Sequence, residues 1–243
     1  MRFAPLDNGR FRRIVPAMSP PETLPIFPLP MAVLPSEYQL LHIFEDRYKK
    51  LVRDCRDRHA AGQCPEFGVV FCDSGGLSCT GTSVAITHIL KEYDDGRFEI
   101  VARGKRRFQV RRVRRLDLYD SAEVEWFDDP PGDDWDETLA TQAYTLHRRF
   151  FELLNGSAIP DNAYCRKMNL SMHIGQLAGL APKQKIDLLR MRCENERLQF
   201  LIQHFQAMLP QVEQIEAARL VVQDAWAVAR FLACGCKETE SGS

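Results

Sequence analysis

The sequence predicts an α+β protein in which a β-barrel subdomain with one embedded helix precedes a C-terminal helical bundle. Two observations support this prediction. Between residues 24 and 127 the apolar residues form short strand-like runs, whereas beyond residue 135 every long segment has helical periodicity. Numerous short strands without alternating helices are typical of a closed or half-closed barrel. The acidic, proline-rich segment 128–134 lies between the two regions and predicts their boundary.

The first strand is predicted at residues 24–29, where apolar residues alternate with proline. Because proline has no N–H to donate, this pattern is typical of an edge strand or an extended leading segment. A second strand at 38–44 leads into a helix at 45–55, where Tyr48, Leu51, Val52 and Cys55 have helical spacing. Further strands are predicted at 67–72, 81–93, 97–102, 106–115 and 119–127, with turns at 73–76 and 94–96 and a break at Gly104.

Helices are predicted at about 135–154, 167–179, 182–191 and 194–209. A last helix is predicted to begin at Pro210, because proline is favoured in a first helical turn. We expect its apolar face to pack in the bundle; that face comprises Val212, Ile215, Arg219, Val222, Trp226, Ala229 and Leu232. The predicted organisation is a flexible tail at 1–23, a β subdomain at 24–127, a hinge at 128–134, a bundle at 135–233 and a second tail at 234–243.

Composition argues against several classes of protein. The 243 residues carry a net charge of −1, so overall charge attracts neither nucleic acid nor an acidic membrane. No apolar stretch approaches the ~20 residues that span a bilayer, and the N-terminus lacks the apolar run of a secretory signal. Its arginines are compatible with a transit peptide as well as with a disordered tail. We expect a cytoplasmic protein with no membrane partner, whose eight cysteines are reduced.

No motif predicts an enzyme. The string from Gly76 to Ser83 has the glycine spacing of a phosphate loop, but Thr82 stands where the phosphate-binding lysine is required. Neither a G-x-S-x-G elbow nor an H-E-x-x-H helix occurs, and the six histidines are scattered. We therefore expect no catalytic residue, no cofactor and no metal.

Three strings together resemble one family. The first spans 24–48 and follows the pattern "LPLFPL…VLFPG…LPLHIFEPRY"; the second follows "GT…I…DGR…I…G..RF.V" between Gly81 and Val110. A weaker third match lies between Ile174 and Leu198. This combination resembles the amino-terminal, substrate-binding domain of Lon-type proteases. Matching residues of the first two strings include His42, Phe44, Glu45, Arg47, Tyr48, Gly81, Gly104, Arg107 and Phe108.

The resemblance implies a barrel of the PUA-like type followed by a helical bundle. It also implies a non-catalytic module that recognises unfolded or tagged polypeptides, possible roles being an adaptor or a chaperone-like binder in protein quality control. A scaffold that docks on a separate ATPase or protease is another option. The signature residues are expected to be structural, with Glu45, Arg47 and Tyr48 bracing the strand–helix junction or, alternatively, contributing to binding. Ser36 departs from the family pattern, which usually has a turn glycine there.

Two surfaces are candidates for binding. Met31, Val33, Leu34 and Tyr38 form an apolar loop that either holds extended polypeptide or fills the mouth of the barrel. The basic run from Arg103 to Arg115 is the alternative, an RNA-binding face that includes Arg106, Arg111, Arg112 and Arg114. These arginines could instead pair across strands with Asp117, Asp120, Glu123 and Glu125.

Overall fold

The computed structural model describes residues 23–115, 118–130, 135–159 and 169–235, except the side chains of 220 and 223–235. In the chain order of these residues, a β subdomain comes first and helices follow. Its elements are β1 (Thr23–Leu29), β2 (Tyr38–Ile43), α1 (Asp46–Ala60), β3 (Phe67–Asp73), β4 (Gly76–Glu92), β5 (Phe98–Arg115) and β6 (Asp120–Trp126). The helices α2 (Glu137–Asn155), α3 (Leu170–Gln176), α4 (Pro182–Arg190) and α5 (Glu194–Gly235) complete the fold. The predicted α+β class is confirmed.

Five of the strands close into a barrel. The strand order is β2-β5-β4-β3-β1-β6, and β6 also pairs with β5, which closes the ring. β1 and β3 are parallel, while the other pairs are antiparallel. β5 is long enough to pair with β2 through its first half and with β6 through its second half. β2 is thereby left at the outer edge of the sheet, next to β5.

The predicted break at Gly104 is wrong, because β5 continues through it. The Gly104 N–H donates to the carbonyl of Glu37 at 2.8 Å, and the Gly104 carbonyl accepts from the Ser36 N–H at 2.9 Å. A Cβ atom at this position would overlap the carbonyl oxygen of Leu34. Glycine is therefore required here because two backbone segments approach closely. It does not end the strand.

α1 packs against the barrel core. Tyr48, Leu51, Val52 and Cys55 are buried and pack against the inward residues of β2 and β5, as their helical spacing predicts. The removal of an aliphatic side chain such as Leu51 from water contributes about 1.5–3 kcal/mol. α1 is thus held on the inner face of β2, which leaves the opposite face of that strand exposed.

The helical part packs around α2 and the first half of α5. α2 begins at Asp136, whose side chain accepts from the Thr138 N–H at 2.8 Å, and ends at Gly156, which has a left-handed φ of 67°. α5 runs on to Gly235 without interruption, so the prediction of a separate helix beginning at Pro210 is wrong. Proline cannot donate to the carbonyl four residues earlier, but α5 is buried both before and after Pro210, at Phe205 and Val212.

Among the described side chains of the predicted packing face of the last helix, Val212 is the buried one. Val212 is buried, whereas Ile215 is 69% and Val222 53% exposed. The predicted residues Trp226, Ala229 and Leu232 lie beyond the described side chains. Within the described ranges, none of the helices is both long and apolar enough to cross a membrane.

Candidate functional site

The outward face of β2 carries an exposed row of large side chains. Successive strand residues point to opposite faces, so Leu41 and Ile43 are buried while Tyr38 and Leu40 are 59% and 60% exposed. His42 follows on the same face, and Phe44, just beyond the strand, is 60% exposed. We call Tyr38, Leu40, His42 and Phe44 the outer row. Exposed apolar side chains that adjoin each other in this way mark interaction sites in soluble proteins.

Polar groups on the neighbouring strand flank the outer row. Tyr38, Leu40 and His42 lie opposite Arg103, Val101 and Glu99 of β5. The Arg103 guanidinium lies 5.4 Å from the centroid of the Tyr38 ring, a cation–π contact. At the other end, the His42 Nδ1 is 3.8 Å from the Glu99 Oε1. The row therefore has a basic group at its Tyr38 end and an acidic group at its His42 end.

Tyr93 extends the aromatic surface beside His42. The two ring centroids are 6.2 Å apart, and the Tyr93 hydroxyl donates to the Glu99 Oε1 at 2.7 Å. This hydrogen bond to a carboxylate raises the pKa of Tyr93. Glu99 is therefore held in place between the tyrosine and the histidine.

The four residues of the predicted binding loop have different positions. Val33 packs in the barrel core against α1 and Leu34 packs in the helical core, both buried, while Met31 is partly buried against the barrel core. The loop is fixed to the helices, because the Gln176 side chain donates to the Pro35 carbonyl at 3.1 Å and Lys185 pairs with Glu37 at 2.6 Å. Of the four, Tyr38 lies on the exposed surface, where Leu40 and Phe44 join it.

Leu40 was missed by the sequence reasoning, although a signal for it exists. The apolar residues of the segment 38–44 include both inward and outward positions of one strand. Once Leu41 and Ile43 are assigned to the core, strand alternation requires Leu40 to be exposed.

Three signature residues contact one another at the junction of β2 and α1. The Arg47 Nε donates to Glu45 at 2.8 Å, and the Arg47 guanidinium lies 4.5 Å from the Tyr48 ring centroid. Tyr48 is buried with its ring centroid 3.9 Å from that of Phe27, and burial raises its pKa. These contacts favour the structural role over a binding role.

Arg107 and Phe108 have internal positions. Phe108 is fully buried, and a Cβ atom at Gly81 would lie 2.7 Å from its ring, which explains the glycine. Arg107 donates to the carbonyls of Leu189 and Met191 at 3.0 and 2.6 Å, at the end of α4. It therefore connects the barrel to the helices.

A buried ion cluster completes this connection. Asp129 pairs with Arg107 and with Arg197, and Arg197 also pairs with Glu194. Burial alone would raise the pKa of Asp129, but the two guanidinium groups outweigh it and the pKa is lowered. Because Arg107 and Arg197 are buried and belong to the barrel and to the helices respectively, the cluster favours a structural role.

The basic face is largely neutralised by acidic partners. Arg106 pairs with Asp128 at 2.8 Å, Arg111 pairs with Glu125, and Arg114 pairs with Glu123. Arg115 lies 3.4 Å from Asp120, and Arg112 is exposed on the same strand. The predicted pairing is confirmed for Asp120, Glu123 and Glu125, while Asp117 lies outside the described residues.

The described residues offer no metal centre. No three of their histidine, cysteine and acidic side chains are grouped so that they could hold an ion. Cys55 is enclosed in the barrel core, and burial raises the pKa of its thiol to about 11.

Comparisons with known proteins identify the family. The sequence model of the ATP-dependent protease La (LON) substrate-binding domain matches residues 23–207. A Lon N-terminal domain protein from Xanthomonas campestris is similar in structure, with a TM-score of 0.57 and 29% identity over 74% of this chain and 96% of that chain. The N-terminal domain of a Mycobacterium avium complex Lon protease has a TM-score of 0.54 and 16% identity over 76% and 98% of the two chains, which shows the fold alone.

No curated protein matches the sequence. The family match covers both the β subdomain and the helices up to the first half of α5, and it confirms the resemblance on which the sequence prediction depends. The chain belongs to the LON substrate-binding domain family.

Proposed function

We propose that this chain recognises unfolded or tagged polypeptides through the outer row of β2, and that it does so as a non-catalytic adaptor or chaperone-like binder in protein quality control. The observation that carries the proposal is the exposure of Tyr38 and Leu40 on β2 and of Phe44 just beyond it. Membership of a substrate-binding family supports the same function.

The chemistry of the outer row suits unfolded chains. An unfolded polypeptide exposes apolar side chains that a folded protein buries, and removing them from water is favourable at ~25 cal/mol per Å². The rings of Tyr38 and Phe44 supply large contact areas with few rotatable bonds, as hot-spot residues do. Val101 of β5, opposite Leu40, gives the row an apolar neighbour.

The test compares matched variants in a binding assay. Fluorescence anisotropy of a labelled, reduced and carboxymethylated polypeptide gives the dissociation constant for the purified chain. Leu40→Asp and Phe44→Asp are each expected to weaken binding about tenfold or more, a loss of ~1.4 kcal/mol. Leu154→Asp is the control, because Leu154 is also an exposed apolar residue but lies on α2. Equal binding by Leu40→Asp and the unmodified chain would contradict the proposal.

RNA binding through the basic face is the competing function. The ion pairs of Arg106, Arg111 and Arg114 with acidic neighbours would have to be broken or shared before these side chains could contact phosphates. Phosphate contacts release counterions, so RNA binding would weaken steeply as salt is raised, whereas apolar capture would not. A single-stranded RNA measured at low and high salt distinguishes them. Salt-sensitive binding of RNA alone would favour the basic face.

A separate ATPase or protease, on which this chain would dock, is a further class of partner. In that case neither the polypeptide nor the RNA would bind, and the outer row would be reserved for one protein surface. The absence of binding to both the polypeptide and the RNA would therefore overturn the proposal of general polypeptide recognition.

A further inference from the structure

The hydrogen-bonding pattern of β2 determines which of its backbone groups are free. β2 and β5 align over six consecutive residue pairs without a register shift. In an antiparallel pair, hydrogen-bonded and non-bonded positions alternate along the strand. Glu37 is a bonded position, since its carbonyl accepts from the Gly104 N–H at 2.8 Å. The alternation then directs the N–H and C=O groups of Tyr38, Leu40 and His42 away from β5.

A side-chain contact supports this assignment. The Gln39 side-chain amide donates to the Leu40 carbonyl at 3.1 Å, which agrees with a carbonyl that is not directed toward β5. Among the described residues, β2 pairs with no strand other than β5. Its second edge therefore presents a row of backbone donors and acceptors.

Natural edge strands are usually protected from pairing, and β2 is not. Bulges, lysine and proline are common protections. The second half of β4 is also unpaired on one side, but its register against β5 shifts between Ile86 and His88 and again between Ile89 and Lys91. β2 is regular and contains neither lysine nor proline. The difference indicates that the edge of β2 is kept available.

The backbone edge and the outer row coincide. Tyr38, Leu40 and His42 direct their backbone groups toward this edge, where the exposed Gln39 side chain occupies the Leu40 carbonyl and an added strand would displace it. The same three residues point their side chains outward. A strand laid along this edge would form backbone hydrogen bonds and, at every second residue, cover an apolar side chain. A helix could do only the second, because its backbone groups are satisfied internally.

The charge of Arg103 indicates which chemical group a bound segment would place at one end of the outer row. Arg103 lies beside Tyr38, and no carboxylate in the described ranges forms an ion pair with it. An acidic group of the bound segment would be stabilised there. At the other end, Glu99 and His42 are already in contact with each other.

We infer that the substrate binds by strand addition: an extended segment, apolar at every second residue and acidic near Tyr38, pairs with the free edge of β2. The inference rests on the proposed function and specifies its substrate class. Folded surfaces and helices are excluded as substrates, while any unfolded segment with this alternation is accepted. Main-chain hydrogen bonds supply affinity that does not depend on sequence, and the outer row supplies the preference for apolar residues.

The experiment changes the backbone of the probe and leaves its side chains unchanged. The probe is a fluorescein-labelled peptide in which valine alternates with serine, with a glutamate at one end. Two modified peptides carry the same number of N-methyl groups, one on valine amides and the other on serine amides. Because only alternate amides of an added strand face β2, one modified peptide is expected to lose affinity about tenfold or more. The other should bind like the parent.

The outcomes separate the binding mode from the function. Equal affinities for all three peptides would overturn strand addition, while the loss of binding in Leu40→Asp would still support recognition by side chains. Failure of both the peptide and the carboxymethylated polypeptide to bind would overturn the proposed function itself. Light scattering provides a third result: a dimer that dissociates in Leu40→Asp would assign the edge to a second copy of the chain and overturn the inference.

Discussion

Arg107 on β5 and Arg197 on α5 converge on the carboxylate of Asp129, although they lie far apart in the sequence. Arg197 is fully buried, and both guanidinium groups also donate to the carbonyl of Met191, at 2.6 and 2.9 Å. Two positive charges in one buried region are tolerated because Asp129 and Glu194 offset them. The barrel and the helices are thereby fixed to each other at an ionic contact.

Asp129→Asn is expected to destabilise the protein by about 3 kcal/mol, because it leaves two buried guanidinium groups with too little negative charge. Urea unfolding followed by circular dichroism measures the change. Asp128→Asn is the matched control, since Asp128 is the neighbouring residue and its pair with Arg106 is exposed. The control should change stability by less than ~0.5 kcal/mol. Equal losses in the two variants would show that the cluster has no special role.

His147 makes stability depend on pH in a defined range. It is buried on α2 with its ring stacked on Phe205 at 5.4 Å, and burial lowers its pKa to about 4. The unfolded chain takes up this proton near pH 6.5, whereas the folded chain resists it. The contribution is therefore fully present above pH 6.5 and is lost as the pH falls toward 4. Between pH 6.5 and 5 the expected loss is about 2 kcal/mol.

The variant His147→Phe keeps an aromatic ring in place but removes the titration. Its unfolding free energy should fall less between pH 6.5 and 5 than that of the unmodified chain. His88→Phe serves as the control, because it makes the same substitution at an exposed position. The carboxylates are the same in every variant, so their contribution cancels in the comparison. A full pH dependence retained in His147→Phe would contradict the assignment.

The sequence could predict the parts of this fold that depend on local patterns. Helical spacing placed Leu51 and Cys55 on the buried face of α1, and the family strings indicated the barrel. The sequence could not show that, within one apolar loop, Val33 and Leu34 are buried while Tyr38 is exposed. That outcome depends on α1, α3 and α4, which cover the first two residues and leave the third exposed.

Two errors have a common physical cause. Gly104 and Pro210 are residues that commonly end an element, yet β5 and α5 continue through them. In each case contacts from elsewhere in the chain outweigh the local preference: the Leu34–Glu37 backbone lies against Gly104, and α2 packs along α5. Likewise, the sequence of β5 around Arg107 does not indicate that its side chain binds the carbonyl of Leu189 at the end of α4.

The backbone of Ser36 has a strained conformation, and a glycine at this position should relieve the strain. Its φ of 66° is left-handed, a conformation that a side chain disfavours by about 1–2 kcal/mol. Ser36→Gly removes that strain but adds flexibility to the unfolded chain, which offsets about 0.5–1 kcal/mol of the gain. We expect a net stabilisation of about 0.5 kcal/mol and a melting temperature higher by about 1–2 °C.

Ser36→Ala is the control for this prediction, because alanine keeps the Cβ atom that causes the strain. It should not raise the melting temperature measured by scanning calorimetry. A gain in Ser36→Ala equal to that in Ser36→Gly would assign the effect to the hydroxyl group and not to the backbone.

Gly104→Ala tests how closely the loop before β2 must approach β5. The added methyl group would meet the carbonyl of Leu34, a backbone atom that cannot rotate away, and would force apart the hydrogen bonds of Gly104 with Ser36 and Glu37. Those bonds set the register of β2, so polypeptide binding at the outer row should weaken together with stability. We expect a destabilisation of about 3 kcal/mol, the size of a severe overpacking change.

Gly62→Ala is the control for this prediction. Gly62 has a left-handed φ of 70° but no neighbouring atom within 4 Å of an added Cβ, so the variant should lose only about 1 kcal/mol of stability and keep its polypeptide binding. If Gly104→Ala unfolded like Gly62→Ala and bound polypeptide normally, the register of β2 would not depend on this contact.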